Sequence, residues 1–415
     1  MKVLWITNIL FPDINNFLGG KFCPAGGWML SLAEQLKRIP NVELSIATVT
    51  PLCKDIKVYV SDNIRYYAIP IGKGNITYNK EYEFYWQFIE NDFRPDVVHI
   101  HGTEFTHGLS YVQVYGAQKV VVSIQGLITE IAKYSKGGLT NREIFNSLTI
   151  RDLISKTDLI SESIRYYERA RWERLLLSKV NHVIGRTVWD KKCVMAINPS
   201  LEYYSVNESM RDEFYDGLWT YEACKMHSIF LSQASCALKG AHFVFMALPK
   251  IIKEYPDTTI RIAGNDIIKI NSLKDYLKQT NYSKYLRKLI KDLNINERIE
   301  FLGVLNAEEM KTEYLSANLF ICPSSIENSP NSVGEAQLLG VPILASNVGG
   351  VSSIIDTSIT YDFNNIELLQ LHISEIFRNS SDFDNRQQRY DARVRYDRKN
   401  NLNHLINIYK KISNN

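Results

Sequence analysis

The sequence predicts an α/β protein built from two doubly wound, Rossmann-like domains facing a cleft. Three observations predict it: short apolar, β-rich runs, helical patterns between them, and recurrence of that alternation in both halves of the chain. Unbroken apolar strands separated by helices belong to parallel sheets covered on both faces. The chain has 415 residues, too long for one ordinary domain and comfortable for two.

In the first half the strand candidates are "VLWITNI" (3–9), "ELSIATVT" (43–50), "RYYAIP" (65–70), "DVVHIHG" (96–102), "KVVVSIQG" (119–126) and "HVIGRT" (182–187). A helical pattern over 27–38 puts Met29, Leu32, Ala33 and Leu36 on one face. In the second half come "SIFLSQ" (228–233), "TIRIAGN" (259–265), "IEFLGVL" (299–305), "LFICPS" (319–324) and "PILAS" (342–346). The tract 190–226 is richer in Tyr, Asn, Glu and Asp and lacks strand runs, so it reads as a linker with short helices. The predicted domains are 1–190 and 227–396, joined by 191–226 and followed by 397–415, where "NNLNHLINIYKKI" makes a final amphipathic helix.

Composition narrows the function classes. The chain is 45% hydrophobic and 22% charged, which is globular. A net charge of +3 gives no argument for nucleic acid. No apolar run approaches the roughly eighteen residues of a spanning helix. The start "MKVLWITNILFPD" reads as a buried first strand rather than a signal peptide. Six scattered cysteines without a C-x-x-C pair favour reduced thiols and a cytoplasmic protein.

Chemistry is sought in the tracts that follow the strands. The most informative is "SIENSPNSVGEAQLLG" (325–340), in which Glu327 and Glu335 bracket a Pro330-Asn331-Ser332 turn. Ser332 with Glu335 reads as a capping box, with Val333, Ala336 and Leu339 on one helical face and Gly340 as the stop. That leaves Glu327 without a role. A strand, a polar loop and a helix N-terminus together make an anion site. Glutamates beside it can accept hydrogen bonds from hydroxyls attached to the anion, as a nucleotide-sugar would offer.

Other tracts keep two readings. Gly26-Gly27, in "FLGGKFCPAGGWMLSLAEQL", lets backbone approach a bound group or is a plain glycine loop. His99 and His101 share a strand face without the further cluster a metal site needs, and His101 is expected to look into the cleft. Lys239, at a helix start after Ser232-Gln233, suggests an anion partner over a plain surface lysine. Asp382 and Asp384 have the spacing of a metal-binding D-x-D but follow no strand. The helix 162–179, with Arg165, Arg169, Arg171, Arg174, Lys179, Tyr166, Tyr167 and Trp172, predicts peripheral contact with an anionic membrane or else a solvated charged face.

Together these tracts resemble the retaining glycosyltransferases of family four, which have the GT-B fold. "SSIENSPNSVGEAQLLGVPILASNVGG" carries the family's Glu-seven-Glu motif, and "GRTVWD", the aromatic linker and "SQA…KG" are similar to the branch that builds bacterial surface polysaccharides. The resemblance implies a nucleotide-sugar donor in the C-terminal domain. Glu335 would accept the ribose hydroxyls and Glu327 would contact the donor sugar. Backbone at Asn331, Ser332 and Val333, beside Pro330, would meet the diphosphate with Lys239, and backbone near Val304 and Leu305 would hold the base. Gly26-Gly27 would close over the phosphate from the other domain. No cofactor or bound metal is expected.

Two positions depart from the family. Gln233 stands where many relatives have an arginine, and Gln125, in "SIQG", where many have a histidine. Arg186 in "VIGRTVWD" is the candidate replacement for the missing charge. Its alternative is a salt bridge to Asp190, four residues on. The implied partners are a UDP- or GDP-sugar and a lipid-linked or saccharide acceptor, with no nucleic acid. The rival readings are a sugar-nucleotide epimerase and a catalytically silent partner of a transferase.

Overall fold

The computed structural model describes residues 1–21, 26–71, 77–356 and 359–414. It is α/β and divides into two compact units, each with its own largely parallel sheet. The first comprises Met1–Thr129, Tyr166–Met210 and Tyr396–Asn415; the second comprises Glu130–Arg165 and Arg211–Arg395.

In the first unit eight strands follow in chain order: β1 (Lys2–Thr7), β2 (Glu43–Thr50), β3 (Lys57–Ser61), β4 (Ile64–Pro70), β5 (Val97–His101), β6 (Val120–Ser123), β7 (His182–Gly185) and β8 (Glu202–Ser205). Their spatial order is β3-β4-β2-β1-β5-β6-β7-β8, and only β3 runs antiparallel to its neighbour. Side chains alternate across a strand, so β1 feeds two cores. Val3 and Trp5 enter one with Leu36, Ile46 and Tyr409; Leu4 and Ile6 enter the other with Trp86, Val98 and Val183. Burial on both faces is why these strands read as apolar runs.

The second unit has β9 (Lys225–Leu231), β10 (Thr259–Ile262), β11 (Ile299–Phe301), β12 (Ala317–Cys322), β13 (Ile343–Ser346) and β14 (Thr360–Tyr361), ordered β11-β10-β9-β12-β13-β14 with all neighbours parallel. Its core gathers Ile229 and Leu231 of β9, Ile260 and Ile262 of β10, Leu319 and Ile321 of β12, and the helix Ala241–Glu254.

Several expectations are revised. Residues 130–165, assigned by sequence to the first domain, pack in the second unit, because Leu139, Ile144 and Leu159 enter its core. The predicted linker 191–226 contains β8 and the end of the helix Val188–Ile197. β8 is a four-residue edge strand whose side chains stay half-buried or exposed, so it leaves no apolar run to read. The final helix spans Arg398–Ser413 and lays Leu405, Ile406, Ile408, Tyr409 and Ile412 into the core of the first unit.

Candidate functional site

In the second unit the chain runs from β9 to one side of the sheet and from β12 to the other, so neighbouring β9 and β12 form the switch point. Loops leaving the carboxyl ends of such a pair make the binding crevice of a doubly wound sheet. The loop after β9 carries Gln233 and Lys239, and the loop after β12 carries Glu327. Gly240, at φ 69°, draws these loops together: a Cβ there would lie 1.9 Å from the Pro323 carbonyl oxygen.

Lys239 Nζ donates to Glu327 Oε1 at 2.6 Å, and Ser324 Oγ donates to the same oxygen at 2.7 Å. Burial alone would lower the Lys239 ammonium, but the Glu327 carboxylate, by charge and hydrogen bond, holds it raised, so it stays charged at neutral pH. Gln233 is exposed, two residues past β9, and contributes no charge.

The helix Asn331–Leu339 begins at the same loop. The expected capping box does not form. Pro330 is the N-cap, without a side-chain cap bond, so Ser332 is the second helical residue and Glu335 lies too far along to reach back. Gly340 ends the helix at φ 79°, as expected. Glu335 is buried instead against Arg211 Nη2 at 2.8 Å, with the Tyr314 hydroxyl 3.3 Å away. Burial raises the Glu335 carboxyl, and Arg211 opposes that rise. Asn331 Oδ1 is buried without a hydrogen-bond partner at the helix start. Val333 is buried, whereas Val304 is exposed and Leu305 half-buried in the loop after β11. An uncapped helix start with a charged lysine can hold an anion, and carboxylates flank it on two sides.

The first unit brings His101, Gln125 and Arg186 together around a cavity of about 40 Å³, with Trp28, Ser123, Asn207 and Glu208 also in its wall. Arg186 meets Asp190 through its backbone. Its backbone N–H donates to Asp190 Oδ2, while Asp190 closes a capping box with Thr187. The guanidinium pairs with Glu208 at 2.8 Å and donates to the Gln125 carbonyl oxygen at 2.9 Å. Gly26, at φ 81°, caps the helix Gly27–Leu36, where a Cβ would meet Ile9 at 2.8 Å; residues 22–25 of that glycine tract lie outside the described residues.

His99 and His101 stack with ring centroids 3.8 Å apart. The Trp5 indole N–H donates to the Tyr409 oxygen at 3.0 Å, and the Tyr409 hydroxyl is also hydrogen-bonded to His99 Nδ1 at 2.5 Å. His99 Nε2 is hydrogen-bonded in turn to Ser123 Oγ, also at 2.5 Å. Both ring nitrogens of His101 are buried without a hydrogen-bond partner, and burial lowers its pKa to about 3. His101 is thus neutral, facing a cavity roomy enough for an ordered water.

Among the described residues no group of three or more His, Cys, Asp or Glu could hold a metal ion. Asp384 pairs with Arg386 at 2.6 Å. The helix predicted over 162–179 spans Leu159–Lys179 and turns part of its signal inward: Trp172 packs on the core, and Arg169 donates to the Glu104 carbonyl oxygen. No disulfide joins the cysteines among the described residues; Cys23 lies outside them. No described helix is long and apolar enough to cross a membrane. Sequence reasoning missed Arg211, Tyr314, Glu208, Ser123 and Tyr409. Each acts on a residue distant in the chain, and only the acidic composition of 190–226 hinted at Glu208.

Residues 226–410, just under half the chain, match the family described as "Glycosyl transferases group 1". The Bacillus subtilis "Spore coat protein SA" is 24% identical over 42% of this chain and 46% of its own. The Escherichia coli "O-antigen biosynthesis glycosyltransferase WclY" is 24% identical over 49% of this chain and 60% of its own. The chain thus spans about half the length of these curated relatives. Among solved structures, sucrose-phosphate synthase from Thermosynechococcus elongatus superposes with a TM-score of 0.69 at 14% identity, covering 99% of this chain and 98% of the other. Anabaena HepE, solved in complex with UDP-glucose, does so with a TM-score of 0.66 at 12% identity, covering 99% and 100%. Residues 226–410 therefore carry a glycosyl transferases group 1 domain, within an α/β chain whose two parallel-sheet units have the GT-B fold.

Proposed function

We propose that the chain is a retaining glycosyltransferase that moves a sugar from a UDP- or GDP-sugar to a lipid-linked or oligosaccharide acceptor in polysaccharide biosynthesis, without a bound metal or other cofactor. The observation that carries this reading is the arrangement at the β9–β12 switch point. Lys239 and an uncapped helix start supply positive charge, and Glu327 and Glu335 flank it. A diphosphate would take the helix start and Lys239. Its two sugars would each bring hydroxyls to one carboxylate. Cationic groups at a departing diphosphate stabilise the charge that develops there. The resemblance to the family four enzymes supports retention through same-face attack. HepE, whose structure holds UDP-glucose, supports the UDP class, and WclY, named for O-antigen biosynthesis, supports the polysaccharide role.

A thermal-shift panel of UDP- and GDP-sugars, followed by transfer of the labelled hit in EDTA, tests the proposal. Binding stabilises the fold by mass action. The expected result is one stabilising donor class and product formation that survives EDTA, with the anomeric configuration kept. Loss of activity with EDTA, restored by manganese, would overturn the metal-independent step. A second reading, a silent partner, draws on Gln233 and on Arg186 already being paired to Glu208. Its signature is donor binding without transfer or hydrolysis.

A further inference from the structure

Two short helices of the second unit turn the same apolar pattern to solvent. Ile150–Ser155 exposes Ile150, Leu153 and Ile154, and Leu273–Lys278 exposes Leu273, Tyr276 and Leu277. Each triad has i, i+3, i+4 spacing, the stripe that a globular helix normally lays on its core. Here all six side chains are between 46% and 78% exposed. The helices are neighbours, with Arg151 Nη1 donating to the Lys278 carbonyl oxygen at 3.0 Å. Single exposed apolar side chains are ordinary, but two adjacent triads make a contiguous patch.

The patch is formed ahead of any partner. Thr149 and Asp152 close a capping box on the first helix, and the Ser272 side chain accepts from the Asp275 N–H on the second. These caps also occupy the acidic side chains of the two helices. Asp152 is buried against Thr149 and Thr157, and Asp275 accepts from Ser272 and the Asn271 N–H. The cations stay outward: Lys156, Lys274 and Lys278 are exposed, with Arg151 between the helices. An apolar face fringed by cations, with its carboxylates folded into helix caps, is complementary to an anionic lipid interface.

We propose that these two helices form a peripheral docking surface for an anionic membrane. Leu153, Ile154, Leu273 and Leu277 enter the headgroup boundary, and Lys156, Lys274 and Lys278 pair with lipid phosphates. This surface is separate from the helix 162–179, for which the sequence suggests membrane contact. The proposal does not depend on the transferase reading, since lipid binding is measured without donor or acceptor.

Co-sedimentation of the full chain with vesicles of phosphatidylcholine mixed with phosphatidylglycerol, against phosphatidylcholine alone, tests it. Wild type should bind the anionic vesicles and lose binding in high salt. Leu153→Asp/Leu277→Asp, and separately Lys274→Glu/Lys278→Glu, should each lower the partition by about tenfold or more. Unfolding curves should be unchanged, because the altered side chains are exposed; Leu153→Gln/Leu277→Gln replaces the first pair if it does not fold. Failure of wild type to bind, or binding retained by both variants, overturns the proposal. So does a chain that ignores vesicles but self-associates until Leu153 and Leu277 are replaced, which would make the occupant a second copy.

Discussion

The site at the β9–β12 switch point and the cavity of the first unit each hold an arginine or lysine against a carboxylate, in different settings. Lys239 and Glu327 sit on loops, with side chains 28% and 13% exposed, beside a helix start that has no cap. Arg186 and Glu208 are 7% and 8% exposed, and the guanidinium is also held by the carbonyls of Ile124 and Gln125. On the proposed reading, the first pair would open toward a diphosphate, because the neighbouring helix start offers the anion more positive charge. The second pair is neutral within itself, so an anion near Arg186 would have to displace a buried carboxylate. Position at a strand end does not by itself decide whether an arginine meets an anion. What else holds its charge decides.

The largest effect should come from breaking the buried pair. Glu208→Gln leaves Arg186 buried without its carboxylate, at a cost of about 3–5 kcal/mol, read from the urea midpoint at constant slope. A cost near that of an exposed pair, about 0.2–1 kcal/mol, would mean that Arg186 finds solvent or another partner and would bring it back as an anion binder. Arg186→Met/Glu208→Met should recover much of the loss, since both charges leave together.

Next comes Glu335→Gln. A charged acceptor becomes a neutral one, and donor affinity should fall by about 1.5–3 kcal/mol, measured by titration calorimetry with the donor found in the panel. Unchanged affinity with lowered stability would confine Glu335 to holding Arg211 and Tyr314. The helix start itself should be unaffected, because Glu335 makes no cap bond there.

The smallest effect is a pH dependence within the first unit. Burial pushes the Glu104 carboxyl up to about 7, helped by the nearby Glu173 and opposed by Arg169. Asn8 Nδ2 donates to Glu104 Oε2 at 2.7 Å. In the unfolded chain the group titrates near its ordinary 4.5, so between that pH and about 7 the folded state binds the extra proton. Stability should be highest below the unfolded value and fall as pH rises toward 7. Glu104→Gln should flatten that fall in unfolding curves taken from pH 5 to pH 8. An unchanged slope would assign the dependence to another group.

Legibility followed the same division as the two ion pairs. Strands buried on both faces, such as Val3–Ile6 and Leu319–Cys322, announce themselves as apolar runs, and so the α/β class was readable. β3 alternates along an edge, and β8 is short and half-exposed, so neither leaves that mark. Glu327 and Glu335 were visible because one loop and one helix hold them at fixed spacing. Their partners Lys239 and Arg211 lie 88 and 124 residues away, so no local pattern could pair them. The capping-box reading failed at one point: Pro330, not Ser332, starts the helix, which shifts every cap position by two.

The chain's passage between its units bears on how it could be dissected. Residues 226–410 would be the natural segment to clone for donor binding, yet that segment is not a self-contained piece. It omits 130–165, whose Leu139, Ile144 and Leu159 belong to the second core, and ends in a helix whose Leu405, Ile406 and Ile408 belong to the first. Expressed alone, it would expose one apolar surface and carry another without its cover. A self-contained second unit would instead splice 130–165 to 211–395, a combination that no single cut of the gene provides.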